Sequence, residues 1–451
     1  MILVLLTALL LRLPLLSQSF WLDEAAQALE SVRPLSQQLV LSNDFQPPLY
    51  HLLVYLFALI SHADWWLRLA SLIPGIITIY FTYKLGGRFA AILLTTSQFH
   101  IFYSQELRPY SLATMFAVLS MYRLLIILKK RRFDWLYLFF TTLGLYTVYT
   151  FPFLLLAQLF YVLIFHRNLL RSIIYHLSSI ILLCLPWLPS LWQQFQTGMG
   201  VAHTLPLWRT VVSPPALKAL ALVFPKFVFG YLPLPNPLIQ LLPLILILGL
   251  VGFLIIQVRQ KLLLIWLGLP LLFGFLVSFP VPLLDPKRFL FCLPALYLLI
   301  ALSKSRLKHA LILLNLISVF LYWFNPQFQR EPWRLAVKQV ETIITPQTIL
   351  IFPWNGPYAP WTWYARLPTR QLSFDILPLT TTTVDQKLAT LSSTDQIIVF
   401  DYLQDLTDPG RILLTTLARQ GWRESGFYQY PGLGKIRILN KTPVYALESV
   451  Q

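Results

Sequence analysis

The chain has 451 residues, of which 57% are hydrophobic, 15% aromatic and only 12% charged, with a formal net charge of +17. A charged share about half that of soluble proteins excludes a disordered chain and argues against a purely soluble one. Charge is also uneven: eight of the 18 acidic residues but 23 of the 35 basic ones precede residue 326, leaving +15 on the first part and +2 on the tail. Because the basic residues stand between long apolar runs, they indicate membrane orientation rather than a nucleic-acid partner.

A membrane span needs about 20 apolar residues, and candidate runs lie at 1–18, 66–83, 89–103, 109–128, 135–149, 151–165, 172–190, 237–257, 262–280, 289–303 and 308–324, about eleven in all. The first run lacks the basic start of a signal peptide and is interrupted by Arg12 and Pro14, so it reads as a membrane anchor. Basic clusters follow every second span: Lys84/Arg88, Lys129 to Arg132, Arg167/Arg171, Arg259/Lys261 and Lys304/Arg306/Lys308. The positive-inside rule places these five junctions in the cytoplasm. Ser104–Arg108, Tyr149–Pro152, the 191–235 segment, Pro280–Arg288 and everything after Phe324 then face outward. Pro47 to Ile60, about 14 residues beginning with a Pro-Pro pair, is short for a span. Read as an interfacial helix over 47–61, it keeps 18–65 as one outer loop. Seven of the eight early acids (Asp23, Glu24, Glu30, Asp44, Asp64, Glu106 and Asp285) then lie outside, and only Asp134 inside.

The expected fold is thus an all-α polytopic membrane domain over 1–325, followed by a small extracytoplasmic α/β domain over 326–451. In that tail, Trp333–Ile344 and Gly410–Gln420 read as helices, and Thr348–Phe352, Gln396–Phe400 and Lys435–Leu439 as strands. Pro353–Pro360 reads as a loop. Cys184 and Cys292 sit in apolar runs, so a disulfide framework is not expected. His51, His62, His100 and His203 are scattered, which gives little support to a metal site. Asn440-Lys441-Thr442 matches a glycosylation acceptor, a pattern short enough to arise by chance.

Three polar groups have chemical potential. Asp23-Glu24 follows the first span, where a partly desolvated carboxylate makes a better general base; the bland alternative is a helix cap. Ser104 to Tyr110 places Glu106 and Arg108 beside hydrocarbon, costly unless they are paired or functional; the alternative is an interfacial salt bridge. Asp285-Pro286-Lys287-Arg288 brings two cations to headgroup level, suited to a phosphate or to snorkelling. Arg68, after Asp64-Trp65-Trp66, offers the same choice. Trp361, Trp363 and Tyr364 suit either sugar stacking or a core, the core being the commoner use.

Taken in order, Leu22-Asp23-Glu24-Ala25, Gln46-Pro47-Pro48-Leu49-Tyr50, Leu67 to Ser71, Tyr103-Ser104-Gln105-Glu106-Leu107-Arg108 and Lys287-Arg288-Phe289 resemble glycosyltransferase family 39 and its relatives. These are polytopic GT-C-fold enzymes, related to protein O-mannosyltransferases and the aminoarabinose transferase of lipid A. The tail resembles the soluble domain of many bacterial members, with Glu331-Pro332-Trp333-Arg334 similar to an acidic-x-Trp-Arg stretch found there. The resemblance implies a sugar donor on a polyprenyl phosphate, a lipid, glycan or protein acceptor, and a site on the outer face of a bacterial plasma membrane. It maps the key carboxylate onto Asp23 with Glu24 beside it, and phosphate contacts onto Lys287 and Arg288. Glu106, held by Arg108, would orient the acceptor or Asp23. Gln46, Arg68, Tyr103, Gln105 and Arg108 are the remaining candidates for substrate binding. Many relatives have His or Lys in place of Gln46 and a His near Val148, so no metal ligand carries over, no cofactor is expected, and a divalent metal stays an open question. The rival readings are a transporter or flippase, which would favour midplane charges and inverted repeats, a glycan polymerase or ligase, and a non-catalytic scaffold.

Overall fold

The computed structural model describes residues 1–38, 45–204, 207, 216–230, 237–279, 281–389 and 394–441, with side chains undescribed at 201–204 and 237–244. Asp44, Pro280, the side chain of His203 and Thr442 of the glycosylation pattern lie outside the described residues. The chain divides into two compact units: Met1–Gln18, Gln27–Thr197 and Pro214–Gln329 form one, while Ser19–Ala26, Gly198–Ser213 and Arg330–Gln451 form the other.

The first unit is helical. Among the described residues, three helical stretches are long and apolar enough to cross a membrane: Asp64–Thr96, Tyr110–Lys130 and Arg167–Gly200. Shorter apolar helices include Trp135–Leu145, Phe151–Phe165, Lys261–Val277 and Lys308–Phe324. The first long stretch is two helices. Gly86 and Gly87 leave helical geometry, and Gly87 adopts a φ of +80°, which side-chain-bearing residues rarely take. The chain reverses there, because a Cβ added at Gly75 would run into Ser104 Oγ, far along in sequence. The basic pair Lys84 and Arg88 flanks this turn, as expected from the separate runs 66–83 and 89–103. The apolar segment after Pro47-Pro48 forms the helix Leu49–Ala58. Its ten residues span only about 15 Å, half a hydrocarbon core.

The second unit is built on a five-stranded sheet: β1 (Thr348–Phe352), β2 (Arg370–Ser373), β3 (Gln396–Phe400), β4 (Trp422–Tyr430) and β5 (Gly434–Lys441), in the order β2-β1-β3-β5-β4. β1 is parallel to β2 and β3, whereas β5 is antiparallel to β3 and β4. β1 and β3 are apolar after their first residues, Thr348 and Gln396, because both faces are covered. Leu350, Phe352, Ile398 and Phe400 meet Trp333, Tyr358, Trp361 and Tyr402 on one side. Ile349, Ile351, Ile397 and Val399 meet Phe374, Val384, Leu413 and Leu417 on the other. The helices Trp333–Glu341 and Ile412–Arg419 lie within the stretches expected from periodicity. The loop expected at Pro353–Pro360 gives way at Ala359 to a short helix reaching Tyr364.

Candidate active site

The helix Leu22–Ser31 starts one residue before Asp23, so Asp23 and Glu24 lie in its first turn rather than at its cap. That position favours negative charge, because unpaired backbone N–H groups point toward it. Ser19–Ala26 is grouped with the tail, and the contacts within that unit explain why. Ser19 Oγ donates to the Glu331 carbonyl at 2.8 Å, and the Phe20 amide donates to Tyr364 Oη at 2.6 Å. Leu22 packs on the Trp333 core, and the Phe20 and Trp363 rings lie 5.8 Å apart. Trp361 is part of that core, only 1% exposed, so it presents no face to a sugar.

Glu24 is fully buried, and its Oε2 stands 3.2 Å from Nε of Arg330, itself buried. Next to it, Glu331 accepts from Trp333 Nε1 at 2.7 Å and from Tyr402 Oη at 3.0 Å. Burial pushes the Glu331 carboxyl up to about 7; the two donors pull it down, and the negative charges of Asp23 and Glu24 add to the rise. A cleft of about 420 Å³ opens at this point, lined among others by Glu331, Tyr402, Asp401, Asp405, Gly432 and Gly434. Reading the sequence alone did not assign Arg330 or Glu331 to the site. Glu331 was signalled only by the similarity of Glu331 to Arg334 to a family stretch, and Arg330, one residue before it, by nothing.

In the helical unit, the remaining candidates fall into three places. Arg68 and Gln105, both fully buried, hold the segment that leaves the first helix. Arg68 Nη1 donates to Leu16 O at 2.7 Å and also to Gln18 O; Gln105 Nε2 donates to Arg12 O at 2.7 Å and also to Pro14 O. Tyr322 Oη donates to Gln105 Oε1 at 3.2 Å. After helix Ile2–Leu10 the chain turns about Pro14, and its carbonyls are costly to bury unless donors reach them. Tyr103 belongs to an aromatic group, 4.8 Å from Phe99 and 5.5 Å from Tyr110 by ring centroids. Glu106 is 1% exposed, and Arg108 lies over the Tyr110 ring at 6.0 Å. Ser71 Oγ donates to Arg108 O, and Ser111 Oγ donates to Ser71 O, so Arg68 and the Tyr103–Arg108 turn come to one end of the helical hairpin.

Gln46 is part of a second cluster. Its Nε2 donates to Gln27 Oε1 and stands 3.0 Å from His51 Nε2, while Gln27 Nε2 stands 2.8 Å from His51 Nδ1 and donates to Ser31 Oγ. This cluster ties the later turns of helix Leu22–Ser31 to the start of helix Leu49–Ala58. Lys287 and Arg288 make the third place, opening the turn Pro286–Cys292. Asp285 Oδ1 accepts from the Lys287 amide at 3.1 Å, and Asp285 Oδ2 lies 3.9 Å from Lys287 Nζ. Arg288 Nη1 donates to Pro282 O at 3.0 Å. Lys226, on helix Ala216–Phe229, interacts electrostatically with both Asp285 and Lys287. Burial lowers its ammonium, Asp285 raises it and Lys287 lowers it further, so a third cation joins the pair that was legible in the sequence. Among the described residues, no three His, Cys, Asp or Glu side chains stand together in a geometry that would hold a metal ion.

Residues 45–192 match the family of dolichyl-phosphate-mannose-protein mannosyltransferases. That stretch contains Gln46, Arg68, Tyr103, Gln105, Glu106 and Arg108, but begins after Asp23. Two solved structures of ArnT from Cupriavidus metallidurans resemble the chain along its length. The apo structure has a TM-score of 0.58 at 11% identity, covering 98% of this chain and 97% of that one. The structure bound to undecaprenyl phosphate has a TM-score of 0.55 at 11% identity, covering 98% of each chain. No curated protein matches the chain by sequence. The chain therefore shares the fold of ArnT along its length, and its residues 45–192 match that mannosyltransferase family.

Proposed function

We propose that the chain is an integral membrane glycosyltransferase, moving a sugar from a polyprenyl-phosphate donor to a hydroxyl of a lipid, glycan or protein on the outer face of a bacterial plasma membrane. The donor class is supported by the fold shared with an ArnT structure bound to undecaprenyl phosphate. The observation that carries the catalytic reading is the Glu24–Arg330 ion pair. It holds Glu24, one of the two first-turn carboxylates, against a buried cation, and we assign the proton to its neighbour Asp23, the carboxylate onto which the family resemblance maps the base.

In this reaction the acceptor oxygen attacks the anomeric carbon as the C–O bond to phosphate breaks, with inversion. The acceptor proton passes to the Asp23 carboxylate, and the bonding pair leaves on the phosphate. Lys287, Arg288 and Lys226 stabilise the phosphate charge that develops. Glu106 and Arg108 orient the acceptor, and Tyr103 lines its approach. Arg68 and Gln105 hold the backbone that leads to Asp23, and Gln46 bonds the side chain of Gln27 on the helix that begins at Leu22.

The test is release of undecaprenyl phosphate from undecaprenyl-phosphate monosaccharides by purified protein in nanodiscs, with membranes of a deletion strain as acceptor source. Asp23→Asn should reduce turnover by about 100-fold or more, in the range of a lost general base. Near-wild-type turnover by correctly folded Asp23→Asn would remove the assignment. The lipid and glycan missing from the deletion strain would name sugar and acceptor together.

A further inference from the structure

The mechanism above leaves one question of proton balance. Each turnover leaves a proton on Asp23, and Asp23 must lose it before the next acceptor arrives. Glu331 has no role in that scheme, yet its surroundings are built around its carboxylate. Trp333 Nε1 and Tyr402 Oη each donate to one of its oxygens. Its backbone carbonyl is fixed by Ser19, four residues before Asp23. Gly432, at a φ of +77°, packs where a Cβ would collide with Glu331 Cγ, so the turn before β5 moulds itself to this side chain.

We propose that Glu331 is a positioning and relay residue that acts through Asp23, taking on the proton that Asp23 removes from the acceptor and passing it to water in the adjoining cleft. This rests on the glycosyltransferase reading. The steps balance: the acceptor O–H breaks toward Asp23, the new glycosidic bond forms at that oxygen, and the proton then moves from the Asp23 carboxyl to the Glu331 carboxylate and out. The groups that interact electrostatically with Glu331, donate to it or line its cleft suit this traffic. Asp23 and Glu24 lie on the first segment, with Glu24 held by Arg330. Tyr402 comes from the chain after β3. In the cleft, Asp401 is paired with Arg437 at 2.8 Å, while Asp405 stands at the lining. A carboxyl raised to about 7 exchanges protons near neutral pH, as a relay requires.

The experiment is a pH–rate series on the full chain in nanodiscs, following undecaprenyl phosphate release as above. Wild type should lose turnover on the acid side of about pH 7. Glu331→Gln should lower kcat by on the order of tenfold with KM little changed, and abolish that acid limb. Glu331→Asp should restore part of the rate. Tyr402→Phe removes a donor that favours the carboxylate, so its acid limb should move to higher pH; this variant decides the matter if Glu331→Gln does not fold. Wild-type kcat and an unmoved acid limb in both Glu331→Gln and Tyr402→Phe, with Asp23→Asn inactive, would overturn the relay and leave the proposed function standing. Full activity in Asp23→Asn would overturn both.

Discussion

Glu24 and Arg330 are 306 positions apart and meet as a buried ion pair. Removing one partner of such a pair leaves an uncompensated buried charge, which costs about 3–5 kcal/mol, whereas replacing both with apolar groups is often neutral. Thermal unfolding of the full chain should therefore show Arg330→Met and Glu24→Leu each strongly destabilised, and the double variant Glu24→Leu/Arg330→Met closer to wild type. Additive losses in that cycle would mean the two side chains act independently. Glu331 makes a second prediction, with its sign set by the direction of its shift. The folded state holds the Glu331 proton more tightly than the unfolded chain, where the carboxyl titrates near 4.5. Its contribution to stability is then fully present below about pH 4.5 and lost as pH rises through about 7. Melting temperatures measured across that interval should fall more steeply for wild type than for Glu331→Gln. Equal slopes would show that the carboxyl does not titrate in this window.

At the scale of elements, Arg68 and Gln105 hold the chain between the first helix and Asp23. Each satisfies two carbonyls, and a net hydrogen bond contributes about 0.5–1.5 kcal/mol, more when the donor is charged. Arg68→Ala and Gln105→Ala should loosen this segment, read as faster hydrogen exchange at Leu16–Leu22 and a fall in kcat greater than the change in KM. Loss of substrate affinity alone, with unchanged exchange, would instead place these side chains on substrate. Neither outcome was visible in the sequence, where Arg68 reads as a headgroup or phosphate ligand and Gln105 as part of a polar turn. The same limit applies to the tail. β1 and β3 were legible because apolar residues on both faces leave an unbroken hydrophobic run. β4 carries largely exposed or half-exposed residues along Arg423–Tyr430, and β2 is a four-residue edge strand with Arg370 and Gln371 exposed, so neither gives a core signal. Asp23 and Glu24 stood out as candidates because carboxylates are scarce in the first 325 residues, but Arg330 and Glu331, which meet Glu24 and Ser19, belong to a part of the chain where charge is ordinary.

Across the whole molecule, orientation rests on charge at the ends of helices. Lys84 and Arg88 flank the reversal at Gly86-Gly87, and Lys129 to Arg132 close the helix Tyr110–Lys130, whose last residues are basic. If these ends face the cytoplasm, the turn Tyr103–Arg108 between those helices faces outward, and so does Arg68 at the same end of the hairpin. A crossing by the ten-residue helix Leu49–Ala58 would reverse everything before it, yet Gln18 O accepts from Arg68 Nη1, which keeps the chain before Asp23, as far as Gln18, at this same end. At about 15 Å the helix falls well short of a 30 Å core. In a background with Cys184 and Cys292 replaced by Ser, single cysteines at Ser61 and Gln18 should both react with a membrane-impermeant maleimide in intact cells, while cysteines at Arg88 and Arg131 should react only after permeabilisation. Labelling of Gln18 and Ser61 from opposite sides would show that the segment crosses, and would separate Asp23 from Glu106 by the thickness of the bilayer. Such a result would overturn the acceptor orientation proposed for Glu106.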